Sequence, residues 1–233
     1  MAKGMIHNKD LFLNQIANKL GRERKDHVSI PTWKHQPQWE VSKNDSPEDL
    51  LAAFRENSKA KNAEVVETDK SMLLETIQKV IKEYGGGSIV TTKDARFAEH
   101  GITSAFDNEQ THIWDTALGQ ENIKKAKEAN LGIFFSDKSL AESGTVVQFN
   151  DKDIARSVSL LPITYVAIVP KSSIVPRMTQ VTREIHKRVE AGKDLPTCVN
   201  FISGPSNSAD IEMDIVVGVH GPVKAVYLLV VDR

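Results

Sequence analysis

The feature of this sequence that most restricts its fold is a repeated alternation of helical patterns with short apolar strand patterns. From residue 46 onward, segments with apolar residues at every third or fourth position precede short runs rich in valine, isoleucine and leucine. This alternation is typical of a sheet covered by helices, because each helix carries the chain back to the start of a parallel strand. The strand patterns lie at residues 63–67, 88–91, 111–115, 131–136, 145–149, 163–169, 198–203, 210–217 and 223–231.

The last two strand patterns predict an exception to parallel pairing. They are separated by a short connection, residues 218–222 (GVHGP). A parallel pair needs a crossover of about a dozen residues, so this connection favours an antiparallel, hairpin-like pair. The sequence therefore predicts an α/β fold with a mixed, mainly parallel sheet and helices on both faces.

The first 45 residues differ from the rest of the chain. A helical pattern at residues 9–20 is followed by an irregular stretch that contains Trp33 and Trp39 and has neither a helical nor a strand period. A structureless connection of this length is uncommon inside a compact domain. We therefore predict an N-terminal helix and irregular arm at residues 1–45 and an α/β domain at residues 46–233. Because interfaces are enriched in tryptophan, the arm is expected to dock on another subunit, with packing on its own domain as the alternative.

Composition excludes several classes of function. The formal charge of −1 lacks the basic excess that nucleic-acid-binding proteins use for phosphate contacts. Cys198 is the single cysteine, so this chain alone forms neither a disulfide nor a cysteine-ligated iron–sulfur cluster. Its apolar runs are far shorter than the ~20 residues of a membrane-spanning helix, and the N-terminus has no signal-peptide pattern. We expect a cytoplasmic protein with no membrane span and no nucleic-acid partner.

The segment that follows the strand pattern at residues 198–203 is the richest in polar groups. It supplies Ser206, Asn207 and Ser208 soon after Gly204. Small residues let backbone N–H groups approach an anion, and hydroxyl groups add donors. Loops at the carboxyl ends of strands are where open α/β sheets bind ligands. These three side chains are therefore candidate substrate-binding groups, with an ordinary Ser/Asn-rich turn as the alternative.

Acidic and apolar residues alternate in the next stretch. Asp210, Glu212 and Asp214 share one side of the predicted strand there. Three such carboxylates have the chemistry of a hard-cation site. We favour the alternative, a charged sheet face or edge that keeps the strand soluble, and expect no metal. Asp210 is also a candidate catalytic carboxylate.

Three further side chains have the chemistry of an active site. Histidine suits proton transfer near neutral pH, and His220 is either such a group or a turn histidine bonded to backbone. Glu142 acts as a base or nucleophile if it points into a cleft, and is otherwise a plain loop acid. The guanidinium of Arg156 suits a small carboxylate substrate, with surface ion pairing as its alternative role. We predict that these three side chains and the 204–212 loop converge on one pocket at strand ends.

Four segments, occurring in the same order, make the chain similar to the LUD (lactate utilization) domain family over roughly residues 46–233. They are residues 141–145 (AESGT), 156–162 (RSVSLLP), 203–206 (SGPS) with 209–212 (ADIE), and 218–222 (GVHGP). The resemblance implies a fold related to the NagB/RpiA/CoA-transferase-like group, where RpiA is ribose-5-phosphate isomerase. The chain departs from the family at Asn207, where many LUD domains have a basic residue. The side chain at this position therefore offers neutral donors in place of a charge.

The resemblance also implies membership of a three-protein cytoplasmic system that oxidises L-lactate to pyruvate for growth, in which the two partner proteins carry iron–sulfur clusters. With Cys198 alone, this chain is expected to be a non-redox subunit that binds a small carboxylate or organises the complex. No cofactor is expected in this chain, although the sequence leaves a flavin or NAD site undecided. Self-association also stays open.

Two other classes of function remain. One is a free-standing enzyme of the CoA-transferase or sugar-phosphate type that uses Glu142 or the 203–206 loop. The other is a regulatory or assembly protein without chemistry. The sequence therefore does not decide whether the chain is an enzyme.

Overall fold

The central element of the fold is a sheet of six parallel strands. The structure is a computed structural model that describes residues 6–25, 27–29, 31–209 and 214–231. Every pairing within the central sheet is parallel, which confirms the predicted α/β class and its mainly parallel sheet. The order of the strands across the sheet is β1 (Ala63–Thr68), β12 (Lys224–Val230), β7 (Thr164–Pro170), β4 (Leu131–Phe135), β2 (Ile89–Thr91) and β3 (Thr111–Ile113).

The antiparallel pairs lie in two smaller sheets. One has the strand order β8 (Ile174–Val175), β5 (Lys138–Leu140), β6 (Thr145–Asn150) and β9 (Cys198–Ile202), and the other joins β10 (Asn207–Ala209) to β11 (Ile215–Val217). The predicted hairpin-like pairing of the last two strands is wrong, because β11 pairs with β10 while β12 lies between β1 and β7. The physical reason is that β12 is apolar on both faces, and a central position in a parallel sheet covers both.

Helices cover both faces of the main sheet, as predicted. Alternate residues of β12 show the two faces. Tyr227 packs with Phe54 of one helix, whereas Leu228 packs with Ile77 of another on the opposite side, and all four are buried. The described helices are α1 (Lys9–Lys19), α2 (Pro47–Ala60), α3 (Leu73–Glu83), α4 (Arg96–Glu99), α5 (Gln120–Glu128), α6 (Ser157–Leu160) and α7 (Met178–Glu190).

Two helix starts show what local sequence does and does not determine. At α2, the Ser46 hydroxyl accepts from the N–H of Asp49 (3.1 Å) and the Asp49 carboxylate accepts from the N–H of Ser46 (2.9 Å), as the capping-box spacing predicts. The apolar positions of the α7 pattern start at Ile174, but the helix itself begins at Met178. The two residues of β8 pair with β5, so they form a sheet edge and leave only the later part of the pattern helical.

The chain order of the strands reverses beside β2. From β2 the chain moves outward to β3 and then returns to β4, β7 and β12 on the other side. The connections that leave β2 and β4 therefore diverge at the carboxyl ends of these strands. Open α/β sheets bind ligands at such a point of divergence. We call this end of the six-stranded sheet the carboxyl edge and the opposite end the amino edge.

The chain divides into two compact units, Met1–Pro37 and Gln38–Arg233. In the first unit, α1 exposes apolar side chains, and Trp33 is 67% exposed. Trp39 belongs to the second unit, where the guanidinium of Arg183 on α7 lies 4.8 Å from its ring. None of the described helices is long and apolar enough to cross a membrane. The division predicted at residue 45 stays a prediction.

Candidate functional site

Two buried tyrosines hold the backbone of Gly204 at the amino edge. The N–H of Gly204 donates to the phenol oxygen of Tyr227 (2.9 Å), and the phenol of Tyr165 donates to the carbonyl of Gly204 (2.9 Å). The two phenol oxygens are 3.2 Å apart, so donation from Tyr227 to Tyr165 completes a closed ring of hydrogen bonds. Hydrogen bonds in such a chain polarise and strengthen one another. The glycine of the 203–206 segment is therefore an element of the folded core.

Position 204 accepts only glycine. The φ of Gly204 is +68°, and a Cβ atom there would lie 2.0 Å from the carbonyl oxygen of Lys61. Burial raises the pKa of Tyr165 well above its ordinary value, and the neighbouring Tyr227 adds to the rise. Burial also raises the pKa of Tyr227, against the opposing hydrogen bond from the N–H of Gly204. Both phenols are therefore neutral near pH 7 and serve as donor and acceptor together.

A row of hydroxyl groups joins the Glu142 loop to the 203–206 segment. Ser143 Oγ lies 2.7 Å from Thr145 Oγ1, which in turn lies 2.6 Å from Ser203 Oγ. Thr145 begins β6 and Ser203 directly follows β9, so the antiparallel pairing of these strands brings the two side chains together. Thr145 is buried and Ser203 is exposed. The row thus ends in an exposed hydroxyl that is able to donate to a bound anion.

Glu142 itself is turned toward α7. Its carboxylate accepts a hydrogen bond of 2.6 Å from Nε of Arg177, and both side chains are about one-third exposed. Its backbone N–H donates to the carbonyl of Pro176 (3.1 Å). The Glu142 carboxylate is therefore held in an ion pair with Arg177.

The loops that carry Ser206 and His220 are bonded to each other. The N–H of Ser206 donates to the carbonyl of Pro222, and the carbonyl of Ser206 accepts from the N–H of Gly218, both at 2.8 Å. His220 is exposed between these two contacts. Because Pro222 leads into β12, this pair of loops lies at the amino edge of the main sheet. Open α/β sheets bind ligands at the carboxyl ends of their strands. The 203–206 segment follows the carboxyl end of β9, which belongs to the smaller four-stranded sheet and not to the main sheet.

The turn that carries Arg156 is a neighbour of the same loops. A Cβ atom on Gly221 would lie 3.1 Å from Cβ of Ser206 and 3.6 Å from the carbonyl oxygen of Leu160, the last residue of α6. Arg156 directly precedes α6 and is exposed. The end of α6, four residues after Arg156, thus lies beside the loops of Ser206 and His220, whereas the Glu142 carboxylate is bound to Arg177. Their convergence on one pocket stays a prediction.

The remaining predicted site residues lie on or near the β10–β11 ribbon. Asn207 is exposed and its side-chain amide donates to the carbonyl of Pro205 (3.1 Å), while Ser208 is half-buried. Asp214 is exposed. The other two acidic residues, Asp210 and Glu212, lie outside the described residues. Within the described ranges, no group of three or more His, Cys, Asp and Glu side chains is arranged to hold a metal ion.

At the carboxyl edge, Arg96 bridges two carboxylates. Its guanidinium donates to Asp94 (2.6 Å) and lies 3.0 Å from Asp137, and it also lies 5.0 Å from the centre of the Phe135 ring. Burial raises the pKa of Asp137, against the opposing charge of Arg96 and the N–H of Phe149. For Arg96, burial acts to lower the pKa, but the hydrogen bond with Asp94 and the charge of Asp137 outweigh it and the pKa is raised. This cluster ties the turn after β2 to the end of β4.

A cavity of about 400 Å³ opens beside the same turn. It is lined by residues of the 91–95 segment (TTKDA), together with Phe97, Phe106 and Ile113. Sequence reasoning assigned no role to this segment. The signal that marks it is a polar run directly after a buried strand, but its importance depends on the strand order, which local patterns do not give.

Comparisons with known proteins agree with the fold and with the motifs. Residues 51–230 match the family model of the LUD domain. The chain is 51% identical to "Lactate utilization protein C" of Bacillus subtilis (strain 168) and 51% identical to the protein of the same name from Geobacillus sp. (strain WCH70), in each case over all of both chains.

A solved structure has the same fold. It is a DUF162 family protein from Deinococcus radiodurans, which matches with a TM-score of 0.55 at 16% identity, over 79% of this chain and 98% of that one. At this identity the likeness concerns the fold alone. The family model and the full-length relatives go further, and together they show that this chain belongs to the LUD domain family.

Proposed function

We propose that this chain takes part in lactate utilization as a non-redox component of a system that oxidises L-lactate to pyruvate. The observation that carries this proposal is the 51% identity, over the whole of both chains, with Lactate utilization protein C of Bacillus subtilis. Cys198 is the single cysteine, whereas a typical iron–sulfur cluster takes about four thiolates. Partner proteins with iron–sulfur clusters then carry the electrons, and this chain binds a small carboxylate or organises the complex.

The carboxylate site that we propose lies at the amino edge, between Arg156 and the hydroxyls of Ser203 and Ser206. A guanidinium donates two parallel hydrogen bonds to a carboxylate. Ser203 ends the hydroxyl row that starts at Ser143, and hydroxyls add neutral donors. The close approach of Gly221 to both Ser206 and the end of α6 supports this placement.

A free-standing enzyme of the CoA-transferase type has less support. Such an enzyme needs an unencumbered nucleophile, and the carboxylate of Glu142 is 2.6 Å from Nε of Arg177. A role in assembly without chemistry is compatible with the same geometry, and ligand binding is what separates it from our proposal.

The role in lactate utilization is tested by complementation. A Bacillus subtilis strain that lacks its own 51%-identical relative is supplied with this chain and grown on L-lactate or on glucose as the sole carbon source. We expect the chain to restore growth on L-lactate and to leave growth on glucose unchanged. Failure to restore growth, at a normal level of the folded protein, would contradict the proposal.

The carboxylate site is tested by NMR titration of the purified chain with L-lactate and pyruvate. We expect Arg156→Gln to weaken binding at least about tenfold, since a hydrogen bond to a charged group contributes about 1.5–3 kcal/mol. Lys152→Gln, an exposed cation four positions earlier, is the matched control and should bind normally. Equal binding by both variants would remove Arg156 from the site, and no binding by any form would favour the assembly role.

The N-terminal arm is the surface that we propose for partners or for self-association. Leu11 and Phe12 on α1 and Leu20 directly after it expose apolar side chains, and Trp33 lies in the same unit. Removal of residues 1–45, the predicted arm, should leave the α/β domain folded and abolish association, as measured by size-exclusion chromatography with light scattering. Unfolding of the shortened chain would make the arm part of the core, and unchanged association would make the docking proposal wrong.

A further inference from the structure

The β10–β11 ribbon exposes an apolar surface. Ile215 and Val217 point to the same face of the ribbon, because side chains alternate along a strand, and both are exposed, Ile215 by 71%. Val223 is also exposed, and it lies beside the ribbon, since a Cβ atom on Gly218 would be 2.7 Å from its side chain. We call Ile215, Val217 and Val223 the ribbon patch. A two-stranded ribbon is only marginally stable in water by itself, so its exposed apolar side chains indicate a surface that a partner covers.

Helix α1 in the N-terminal arm carries an apolar stripe that matches this patch. Phe12, Ile16 and Leu20 recur every four residues, which places them along one side of the helix, and all three are exposed. A groove of about 700 Å³ is lined by these three side chains together with polar residues of the same helix. Apolar side chains that enter this groove remove both surfaces from water, which is the main favourable contribution to the association of proteins.

The charges of the two segments are complementary. Residues 1–37 contain seven lysine and arginine residues and three acidic residues, whereas residues 203–223 contain three acidic residues and no lysine or arginine. Lys19 lines the groove on α1 and Asp214 directly precedes Ile215, and both charged side chains are exposed. Opposite charges around an apolar contact steer association and select the partner. This complementarity favours the arm as the segment that covers the ribbon patch.

We propose that two copies of this chain exchange arms, so that the α1 stripe of each copy docks on the ribbon patch of the other. Both surfaces are exposed in the single chain, and a second copy supplies each of them with its complement. The exchange has two-fold symmetry, so each contact occurs twice and the buried apolar surface doubles. Residues 21–37 span up to about 55 Å when extended, which gives the arm the length to reach a second copy. This inference rests on the proposed role of the arm in association and is independent of the role in lactate utilization.

The test is sedimentation equilibrium of the full chain, which we expect to form a dimer. Phe12→Glu places a carboxylate on the stripe that meets the acidic 203–223 segment, and Ile215→Lys places an ammonium on the patch that meets the basic arm. Each substitution occurs twice in the dimer, so each should weaken dimerisation at least about thirtyfold. Val28→Glu in the arm and Leu118→Lys in the α/β domain are the matched controls. They change exposed apolar side chains outside the stripe and the patch, and they should dimerise like the parent chain.

An equimolar mixture of the Phe12→Glu and Ile215→Lys variants separates this exchange from other dimers. The intact arm of the Ile215→Lys copy meets the intact ribbon of the Phe12→Glu copy, so the mixture should form a heterodimer although neither variant dimerises alone. This result also shows that both variants are folded. A dimer that joins two arms or two ribbons would stay dissociated in the mixture, and that outcome would overturn the proposal. A monomeric parent chain would overturn it too. Dimerisation that is lost on removal of residues 1–45 but unchanged in Ile215→Lys would overturn the exchange and leave the association role of the arm intact.

Discussion

The two ends of the six-stranded sheet differ in how their buried polar groups are hydrogen-bonded. At the amino edge, the N–H and carbonyl of Gly204 and the phenols of Tyr165 and Tyr227 complete one another's hydrogen bonds in a closed ring. At the carboxyl edge, Thr92 presents a buried hydroxyl without a partner among the described residues, beside a cavity. An edge that is saturated in this way contributes to stability, whereas a buried hydroxyl without a partner costs stability, because it has lost its hydrogen bonds to water.

This difference changes how the most distinctive sequence segment is understood. The sequence of residues 203–206 (SGPS) predicts a loop that binds an anion, yet their glycine and proline are buried. The exposed Ser203 and the half-buried Ser206 are the residues of this segment to which we assign carboxylate binding. The less conspicuous segment after β2 lies at the edge where the fold opens.

The largest effect that we expect comes from Gly204→Ala. The added Cβ would lie 2.0 Å from the carbonyl oxygen of Lys61, at a φ of +68°. We expect a loss of at least about 4 kcal/mol in the free energy of unfolding, measured by urea denaturation. Gly192→Ala is the control, because Gly192 has a φ of +62° with no atom within 4 Å of the added Cβ, so it should lose only about 1 kcal/mol. Equal losses in the free energy of unfolding for the two variants would show that the close contact at Gly204 does not contribute to the cost of the substitution.

The next effect concerns the fixed part of the carboxyl edge. Arg96→Gln leaves the carboxylates of Asp94 and Asp137 without their shared cation. Breaking a fully buried pair costs about 3–5 kcal/mol, and partial exposure of the Arg96 side chain reduces the expected loss to about 2 kcal/mol. Lys125→Gln, which removes an exposed partner of Glu121, should cost less than about 0.5 kcal/mol. A loss for Arg96→Gln as small as for Lys125→Gln would mean that the cluster does not hold this turn.

A smaller expected effect is a pH dependence of the free energy of unfolding that comes from the two phenols at the amino edge. The pKa of Tyr165 and that of Tyr227 are raised by burial in the folded chain, so an unfolded chain ionises first as the pH rises past about 10. The contribution of these two phenols to the free energy of unfolding is therefore fully present below about pH 10. Above that pH it decreases by about 1.4 kcal/mol per pH unit for each phenol. Tyr165→Phe removes one of the two phenols, so it should reduce this slope by about 1.4 kcal/mol per pH unit, as measured by urea denaturation between pH 9 and 11. An unchanged slope would contradict a neutral, buried Tyr165.

Much of the main sheet is predictable from the sequence because its strands are apolar on both faces. The run in β12 and the run in β7 are buried along nearly their whole length, and an unbroken apolar run has few other places to lie. The pairing partner of β11 was not predictable. Its residues Ile215–Val217 look like a core strand, yet they are exposed, and the partner β10 carries the polar sequence Asn-Ser-Ala.

The candidate sites were predictable only in part. The sequence indicated the hydroxyls and Arg156 as polar groups near strand ends, but the bond of Glu142 to Arg177 depends on the distance between a β5–β6 loop and the start of α7. Thr92 carried no signal of its own. Its importance comes from burial without a partner and from the reversal of strand order beside β2, and both are properties of the assembled fold.

The most direct test of the contrast between the edges compares two substitutions that each remove one hydroxyl, Tyr227→Phe and Thr92→Val, in the ligand-free chain. Tyr227→Phe leaves the buried N–H of Gly204 unpaired and should lower the free energy of unfolding by about 1–3 kcal/mol. Thr92→Val removes a buried hydroxyl that has no described partner, so it should leave that free energy unchanged or raise it by up to about 1 kcal/mol. Equal destabilisation by both substitutions would contradict the account, because it would show that the Thr92 hydroxyl contributes to the fold in the same way as the Tyr227 phenol.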